Sequence, residues 1–215
     1  MEKKNWNKLM PIITSVKPQK SGKRLNVYLD NKFAFGIDLE NFVKNGLKVK
    51  LQLSEDKVKE IVKKAEFQKT LDKVLRFVTL RPRSEKEIND WLKRKKIHES
   101  LYKELFDRLK RLELVDDEKF ARWWVNQRSS FRPKPKRILN NELRIKGIEK
   151  EIIEEVLKEE NVDEEKIARE LLEKKKYKWK KLDRKIARQK MSGYLARKGF
   201  EWDAITRAVD VFIKK

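Results

Sequence analysis

The sequence predicts a mainly α protein: three tandem three-helix repeats forming an elongated, curved array, preceded by a small N-terminal segment of a β-hairpin and a third strand. Three observations carry this. The stretch Leu143-Arg144-Ile145-Lys146-Gly147-Ile148 has counterparts in Leu92-Lys93-Arg94-Lys95-Lys96-Ile97 and Leu195-Ala196-Arg197-Lys198-Gly199-Phe200, with the leading leucines spaced 51 and 52 residues apart. A helix–turn–helix grammar at one period is the mark of stacked helical repeats. Before residue 40 the apolar residues alternate with period two, as in strands, whereas beyond residue 54 they follow the helical period. No Gly/Ser linker separates the copies, so they should stack on one another rather than swing.

Residues 1–11 are polar and loose apart from Trp6. Ile12-Ile13-Thr14-Ser15-Val16 follows as a strand, and Pro18 to Lys23 as a turn. Leu25, Val27 and Leu29 alternate with Asn26 and Tyr28, and after Asp30-Asn31-Lys32 the chain resumes as Phe33-Ala34-Phe35-Gly36-Ile37. Two such runs around a short loop containing Asp and Asn make a hairpin. Three short strands with one apolar face must bury that face on something. A short helix over 39–45 ends at Gly46, and Ser54 caps a longer one through Val58, Ile61 and Val62. Whether that helix stops near Glu66 or runs on is open at this level.

The domain division is 1–66 for the N-terminal segment, then repeats at 67–115, 116–162 and 163–215. In the first, Leu71, Val74, Leu75 and Val78 line one helix, Arg81-Pro82-Arg83 breaks it, and Ser84 with Glu87 has capping-box spacing. Ile88, Trp91 and Leu92 face inward on the second helix, and Leu101, Leu105, Phe106 and Leu109 on the third. In the second repeat Phe120, Ala121, Trp124 and Val125 form the apolar face of a helix ending near Phe131-Arg132-Pro133. Leu143 then closes a helix, Gly147 ends it, and Ile148, Ile152 and Val156 give the next an apolar stripe. The third repeat starts about Asp163 with Ile167, Ala168, Leu171 and Leu172; its second helix spans 183–198 and its last 201–212. The breaks Arg81-Pro82-Arg83 and Arg132-Pro133-Lys134 are again 51 residues apart, and the third copy has Lys178-Trp179-Lys180-Lys181-Leu182-Asp183 there. Each repeat thus offers cations at one corner, and a stack lines them into a basic stripe.

Composition restricts the chemistry. With 57 Lys and Arg against 35 Asp and Glu the net charge is +22, so a polyanion or an acidic protein surface is the expected partner. There is no cysteine and one histidine, His98, which removes thiolate catalysis and multi-histidine metal sites. No Gly-rich phosphate loop, nucleophile elbow or HExxH occurs. Asp116-Asp117 suits a helix cap, and the acidic run from Glu149 to Glu165 the solvated face of a helix, better than a catalytic carboxylate pair. The expectation is a non-enzymatic protein with no cofactor and no metal. With no secretory signal and no long apolar segment, it should be soluble, cytoplasmic and without a membrane partner.

Four motifs in order resemble the RecX family, bacterial regulators of the RecA recombinase. They are Arg81-Pro82-Arg83-Ser84-Glu85-Lys86-Glu87-Ile88; Val115-Asp116-Asp117-Glu118-Lys119-Phe120-Ala121 followed by Trp124-Val125-Asn126-Gln127-Arg128; Glu142-Leu143-Arg144-Ile145-Lys146-Gly147-Ile148; and Arg197-Lys198-Gly199-Phe200. Tyr28-Leu29-Asp30-Asn31-Lys32-Phe33-Ala34-Phe35-Gly36 resembles the β segment many members carry in front. The resemblance implies three tandem three-helix modules, docking in the groove of the RecA filament on single-stranded DNA, and inhibition of its extension, ATPase and strand exchange, in recombination, DNA repair and the SOS response. Two departures stand out. Lys96 occupies the place of Gly147 and Gly199, so that turn is either not left-handed or strained by about 1 kcal/mol. Pro133 and Pro135 flank Lys134, which stiffens the second break.

The candidate contact residues are cations. Arg128, Arg132, Lys134, Lys136, Arg137, Arg144 and Lys146 cluster in the second repeat; Lys174, Lys175, Lys176, Lys178, Lys180, Lys181, Arg184 and Arg188 in the third. Such density draws in a phosphate backbone, single-stranded or double-stranded, with salt-sensitive affinity. Leu143 should be buried and Arg144 and Lys146 should face outward. The six tryptophans suit core or inter-repeat contacts better than base stacking, with Trp123, Trp179 and Trp202 the most open. The partners expected are the RecA filament and DNA, with the chain itself monomeric. The alternative is a stand-alone basic nucleic-acid-binding repeat protein without a protein target.

Overall fold

The computed structural model describes residues 10–20, 22–131, 133–160 and 162–214. Trp6 and Arg132 lie outside the described residues. The chain divides into two compact units, meeting in sequence between Phe77 and Val78.

In the first unit, β1 (Ile13–Pro18), β2 (Arg24–Leu29) and β3 (Lys32–Asp38) form an antiparallel sheet in that order. Asp30 and Asn31, both at positive φ (46° and 65°), connect β2 to β3. Two left-handed residues twist the chain the way the flanking strands need, and Asp and Asn are the side chains that tolerate it best after glycine. Alternation puts Ile13, Val27, Phe35 and Ile37 on the buried face, in one core with Leu47, Leu53, Ile61 and Ala65. Asp38 Oδ1 caps α1 (Leu39–Lys44), accepting from the Asn41 amide at 2.8 Å. Ser54 caps α2 (Glu55–Val78), a single helix of 24 residues that passes through Glu66 without interruption.

In the second unit, α3 (Glu85–Arg94) and α4 (Tyr102–Arg111) continue the first repeat; α5 (Asp117–Phe131), α6 (Lys136–Ile145) and α7 (Lys150–Glu159) make the second; α8 (Glu164–Glu173), α9 (Arg184–Arg197) and α10 (Trp202–Lys214) the third. His98 is a surface residue whose Nδ1 receives the Ser100 amide ahead of α4. The second repeat encloses Phe120, Ala121, Val125, Leu139, Leu143, Ile148, Ile153, Val156 and Leu157, and the third Ala168, Leu172, Met191, Leu195, Phe200, Ala204, Ile205 and Ala208. Part of the expected stripe shifts. Ile148 lies in the turn ahead of α7, so the inward face starts from Ile153; Ile152, one residue round, is half-buried.

The corner at 143–148 closes as a Schellman turn: the Gly147 amide donates to Arg144 O and the Ile148 amide to Leu143 O, with Leu143 and Ile148 both buried. Gly199 and Phe200 repeat those bonds, and so do Lys96 and Ile97. All three turn residues have positive φ, at 53° for Lys96, 83° for Gly147 and 91° for Gly199. Lys96 therefore adopts the strained conformation rather than avoiding it.

The repeats join through matching contacts. Ser84 Oγ, at the N-terminus of α3, donates to Lys146 O at the end of α6, and Arg137 Nε at the start of α6 reaches Gly199 O after α9. Acidic residues of the following repeat supply further caps: Asp117 accepts from the Glu85 amide (2.8 Å) and Glu164 from the Lys136 amide (2.5 Å). Each joint brings a helix C-terminus and a carboxylate to a helix N-terminus, the end where negative charge is favourable.

A candidate cationic contact surface

The predicted cations separate into two sets by their surroundings. Arg128 Nε lies 2.9 Å from Glu142 Oε2, and Lys134 pairs with the other oxygen of the same carboxylate. Trp124 Nε1 donates to Glu142 as well (2.9 Å), while the Arg128 guanidinium and the Lys146 ammonium lie 4.4 and 4.9 Å from its ring centre. Lys146 Nζ in turn reaches Glu87 Oε1 of the first repeat at 2.5 Å, where Arg81 also binds at 3.0 Å. Glu87 retains only 13% side-chain exposure. Burial pushes its carboxyl pKa up, but hydrogen bonds and charge from Arg81 and Lys146 outweigh it and hold the group below the ordinary glutamate range. Glu142 follows the same logic: burial raises, Lys134, Arg128 and Trp124 lower, and the lowering prevails. Arg128 and Lys134 thus brace α5 and the loop after it against α6 within the second repeat, and Lys146, expected on the outer face, is half-buried at the joint with the first.

The other set lies open. Arg144 is exposed while Leu143 beside it is fully buried. Lys136, Lys174, Lys178, Lys180, Lys181 and Arg184 are exposed, and among the described residues no carboxylate forms an ion pair with them; Arg137 is exposed too but is tied to Gly199 O at the joint. Lys176 pairs with Glu173 (2.9 Å), Arg188 with Asp210 (2.6 Å), and Lys175 lies 4.5 Å from the Tyr194 ring centre. The third repeat therefore gathers the larger share of open cations, between Lys174 and Arg184.

The aromatic residues divide similarly. Phe120 and Phe200 are core, Trp91, Trp123, Trp124 and Trp179 half-buried, and Trp202, expected among the most open of the six though still packed in a core or joint, is 68% exposed at the start of α10. It stands at the first turn of the helix, one residue outside the inward stripe of Ala204, Ile205 and Ala208, and beside an open groove of about 520 Å³ lined by Lys185, Arg188, Gly193 and Ala196. Sequence reasoning missed Glu87, Glu142 and Arg81 as organisers; for Glu142 the one available signal was its place at the head of the repeated corner. Asp116 caps α5 through the Lys119 amide (2.9 Å), and Asp117 caps α3. Burial, with the charges of Glu85 and Asp116, raises the Asp117 pKa despite the amide bond.

Three-helix repeats joined by caps and by the Lys146–Glu87 pair, with further cations exposed, define a class of basic helical-repeat proteins. Three segments match family descriptions: residues 11–54 "Regulatory protein RecX N-terminal domain", 116–157 "RecX, second three-helix domain" and 163–209 "RecX, third three-helix domain". Regulatory protein RecX of Bacillus licheniformis is 36% identical over 93% of this chain and 77% of the relative; that of Clostridium perfringens is 32% identical over 92% and 94%. A crystal structure titled as regulatory protein RecX superposes with a TM-score of 0.72 at 24% identity, covering 94% of this chain and all of the other, a likeness of fold. RecX from Lactobacillus salivarius gives 0.61 at 25% identity over 67% of this chain and 95% of that one. The chain belongs to the RecX family of regulatory proteins.

Proposed function

We propose that this protein is a non-enzymatic regulator of homologous recombination and DNA repair that binds the RecA filament on single-stranded DNA and restrains its extension, ATPase and strand exchange. Family membership supports a RecA regulator. The observation that carries the mode of action is the separation of charges: the mostly enclosed carboxylates Glu87 and Glu142 take Arg81, Lys146, Arg128 and Lys134, and leave Lys136, Arg144, Lys174, Lys178, Lys180, Lys181 and Arg184 open. Repeated modules joined stiffly gain avidity from modest contacts, because each contact raises the effective concentration of the next. Bridging neighbouring RecA subunits in this way opposes whatever rearrangement turnover requires. A monomer acting in the cytoplasm, where the filament forms, suffices for this role, and no helix of the described residues is long and apolar enough to cross a membrane.

The test is the ATPase of RecA on single-stranded DNA, together with filament length, at stoichiometric protein. Both should fall, and unchanged values for both sink the reading. The +22 charge also favours a second reading, a nucleic-acid-binding protein with no protein target. Nanomolar affinity for bare DNA at physiological salt, undiminished when RecA is absent, would select it.

A further inference from the structure

The groove beside Trp202 is walled by one face of each of two helices. Lys185, Arg188, Ser192 and Gly193 supply it from α9 at i, i+3, i+7 and i+8, and Trp202 and Thr206 from α10 at i and i+4, the spacings that put residues on one side of a helix. No carboxylate is among the described residues that line it. Arg188 is held by Asp210 at 2.6 Å, which ties α9 to α10 eight residues beyond Trp202. Gly193 is the telling member. It lies in the interior of α9 with an ordinary helical backbone, where glycine is the least favourable residue short of proline. Gly147 and Gly199 make room for a neighbouring repeat; a Cβ on Gly193 would meet only Nη1 of the exposed Arg197, at 3.4 Å, an ordinary contact with the end of a flexible side chain. Neither backbone nor packing among the described residues calls for a glycine there, and neither calls for an indole left 68% exposed beside it. We propose that this face of the third repeat is a nucleotide site: one unpaired base of a single-stranded nucleic acid stacks on Trp202 over the bare backbone of Gly193, its edge toward the Ser192 and Thr206 hydroxyls and its phosphates toward Lys185 and Arg188. The site needs no protein target and so goes beyond the function proposed above.

The chemistry selects this occupant. An indole face beside a backbone with no side chain makes a slot for a flat, polarisable group, and every base has such a face. Hydroxyls both donate and accept, so they suit any base edge and read little sequence. The cations lie five to eight residues before Gly193, about 8–12 Å along the helix, and favour a phosphate within reach of the same base. A single strand brings a flat face and a phosphate together in every residue. The open cations Lys178, Lys180, Lys181 and Arg184 lead up to the start of α9 and extend the phosphate track to the groove. In a duplex the faces of each base are covered by its neighbours, so the site separates unpaired from paired strands, a distinction that charge alone does not make.

The test is binding of the full chain, without RecA, to a labelled single-stranded oligodeoxythymidylate and to an abasic strand of the same length and charge. Wild type should bind the base-bearing strand about tenfold more tightly. Trp202→Ala should lose that margin with the salt slope unchanged, while Trp202→Phe stays within about threefold of wild type. Gly193→Leu should melt no lower than wild type, because leucine is the better helix former, and yet lose the margin by filling the slot. Lys185→Ala should weaken both strands alike and reduce the salt slope by about 0.7. On a blunt duplex Trp202→Ala should match wild type within about twofold. No margin in wild type, a margin that survives Trp202→Ala, or a Gly193→Leu chain that melts lower and keeps the margin overturns the site. If Trp202→Ala weakens binding to RecA filament and leaves the margin on bare strands intact, the groove belongs to a protein contact and the nucleotide site falls. The strand measurements contain no RecA, so their failure leaves the RecA reading standing.

Discussion

Lys96, Gly147 and Gly199 occupy one position in three repeats and share a left-handed backbone, yet only two are glycine. Conformation alone does not explain the difference, because it is the same in all three. Space does. A Cβ on Gly147 would lie 2.7 Å from Lys86 Cβ, and one on Gly199 2.6 Å from Ile138 Cγ1, where the following repeat closes on the one before. Lys96 is exposed and has room, so its side chain bears only the left-handed penalty, about 1 kcal/mol. Lys96→Gly should therefore raise stability by about 0.5–1 kcal/mol, less the extra entropy of an unfolded glycine. Gly147→Ala should lower it by about 2–4 kcal/mol, the penalty plus over-filling against a Cβ that its own backbone holds in place. Denaturant midpoints measure both. Equal magnitudes would mean that the joint yields freely.

At the level of the element, what distinguishes the second helices is the care given to their ends. The N-terminus of α3 receives Ser84, Asp117 and, through Ser84 Oγ, the carbonyl of Lys146. Ser84 does take the Glu87 amide as a cap, as the capping-box spacing requires. The Glu87 carboxylate, however, turns to Arg81 and Lys146 and links two repeats. Its folded pKa is lowered, so the stability it contributes is present above the ordinary value of 4.5 and is lost as pH falls through the folded value. Glu87→Gln should cost about 2 kcal/mol at neutral pH, because it leaves Arg81 and Lys146 short of a counter-charge in a mostly enclosed site. It should also flatten the loss of stability on acidification below pH 4.5. Thermal melts of both proteins from neutral pH down to the acid limb read this directly; parallel curves would assign the acid loss elsewhere. Asp117 carries the opposite sign, since its raised pKa favours the protonated folded form.

For the whole molecule, a net charge of +22 is distributed unequally in kind: some cations are paired with enclosed carboxylates, within a repeat or across a joint, and open ones face solvent. The two groups should respond differently to substitution. Lys178→Glu, Lys180→Glu, Lys181→Glu and Arg184→Glu combined should leave the melting temperature within a few degrees. The same variant should reduce the salt slope of single-stranded DNA binding by about 0.7 for each phosphate it no longer neutralises. Arg128→Ala with Lys134→Ala should instead lower stability, because Glu142 then stays half-buried without its cations. Binding isotherms at several salt concentrations, beside melts, separate the outcomes; a destabilised Lys178 to Arg184 variant would place those residues in the scaffold.

The helical array could be derived from residues alone because its determinants are local and repeated. Leu143, Gly147 and Ile148 specify one turn, and two further copies at 51 and 52 residues restate it. Period-two alternation and the Asp30-Asn31 turn did the same for the sheet. The boundaries at Ser84, Asp116 and Asp163 followed from cap residues acting within three positions of themselves. The division of the cations was not derivable in this way. Arg128 meets Glu142 across 14 residues and Lys146 meets Glu87 across 59, separations at which no local pattern selects a partner. Sequence by itself determined the repeat, its turns and the sign of the charge. Only tertiary structure decided which cations are spent on internal carboxylates, because neutralisation depends on distance in space and burial, and both are set by how the helices of a repeat, and one repeat and the next, close on each other.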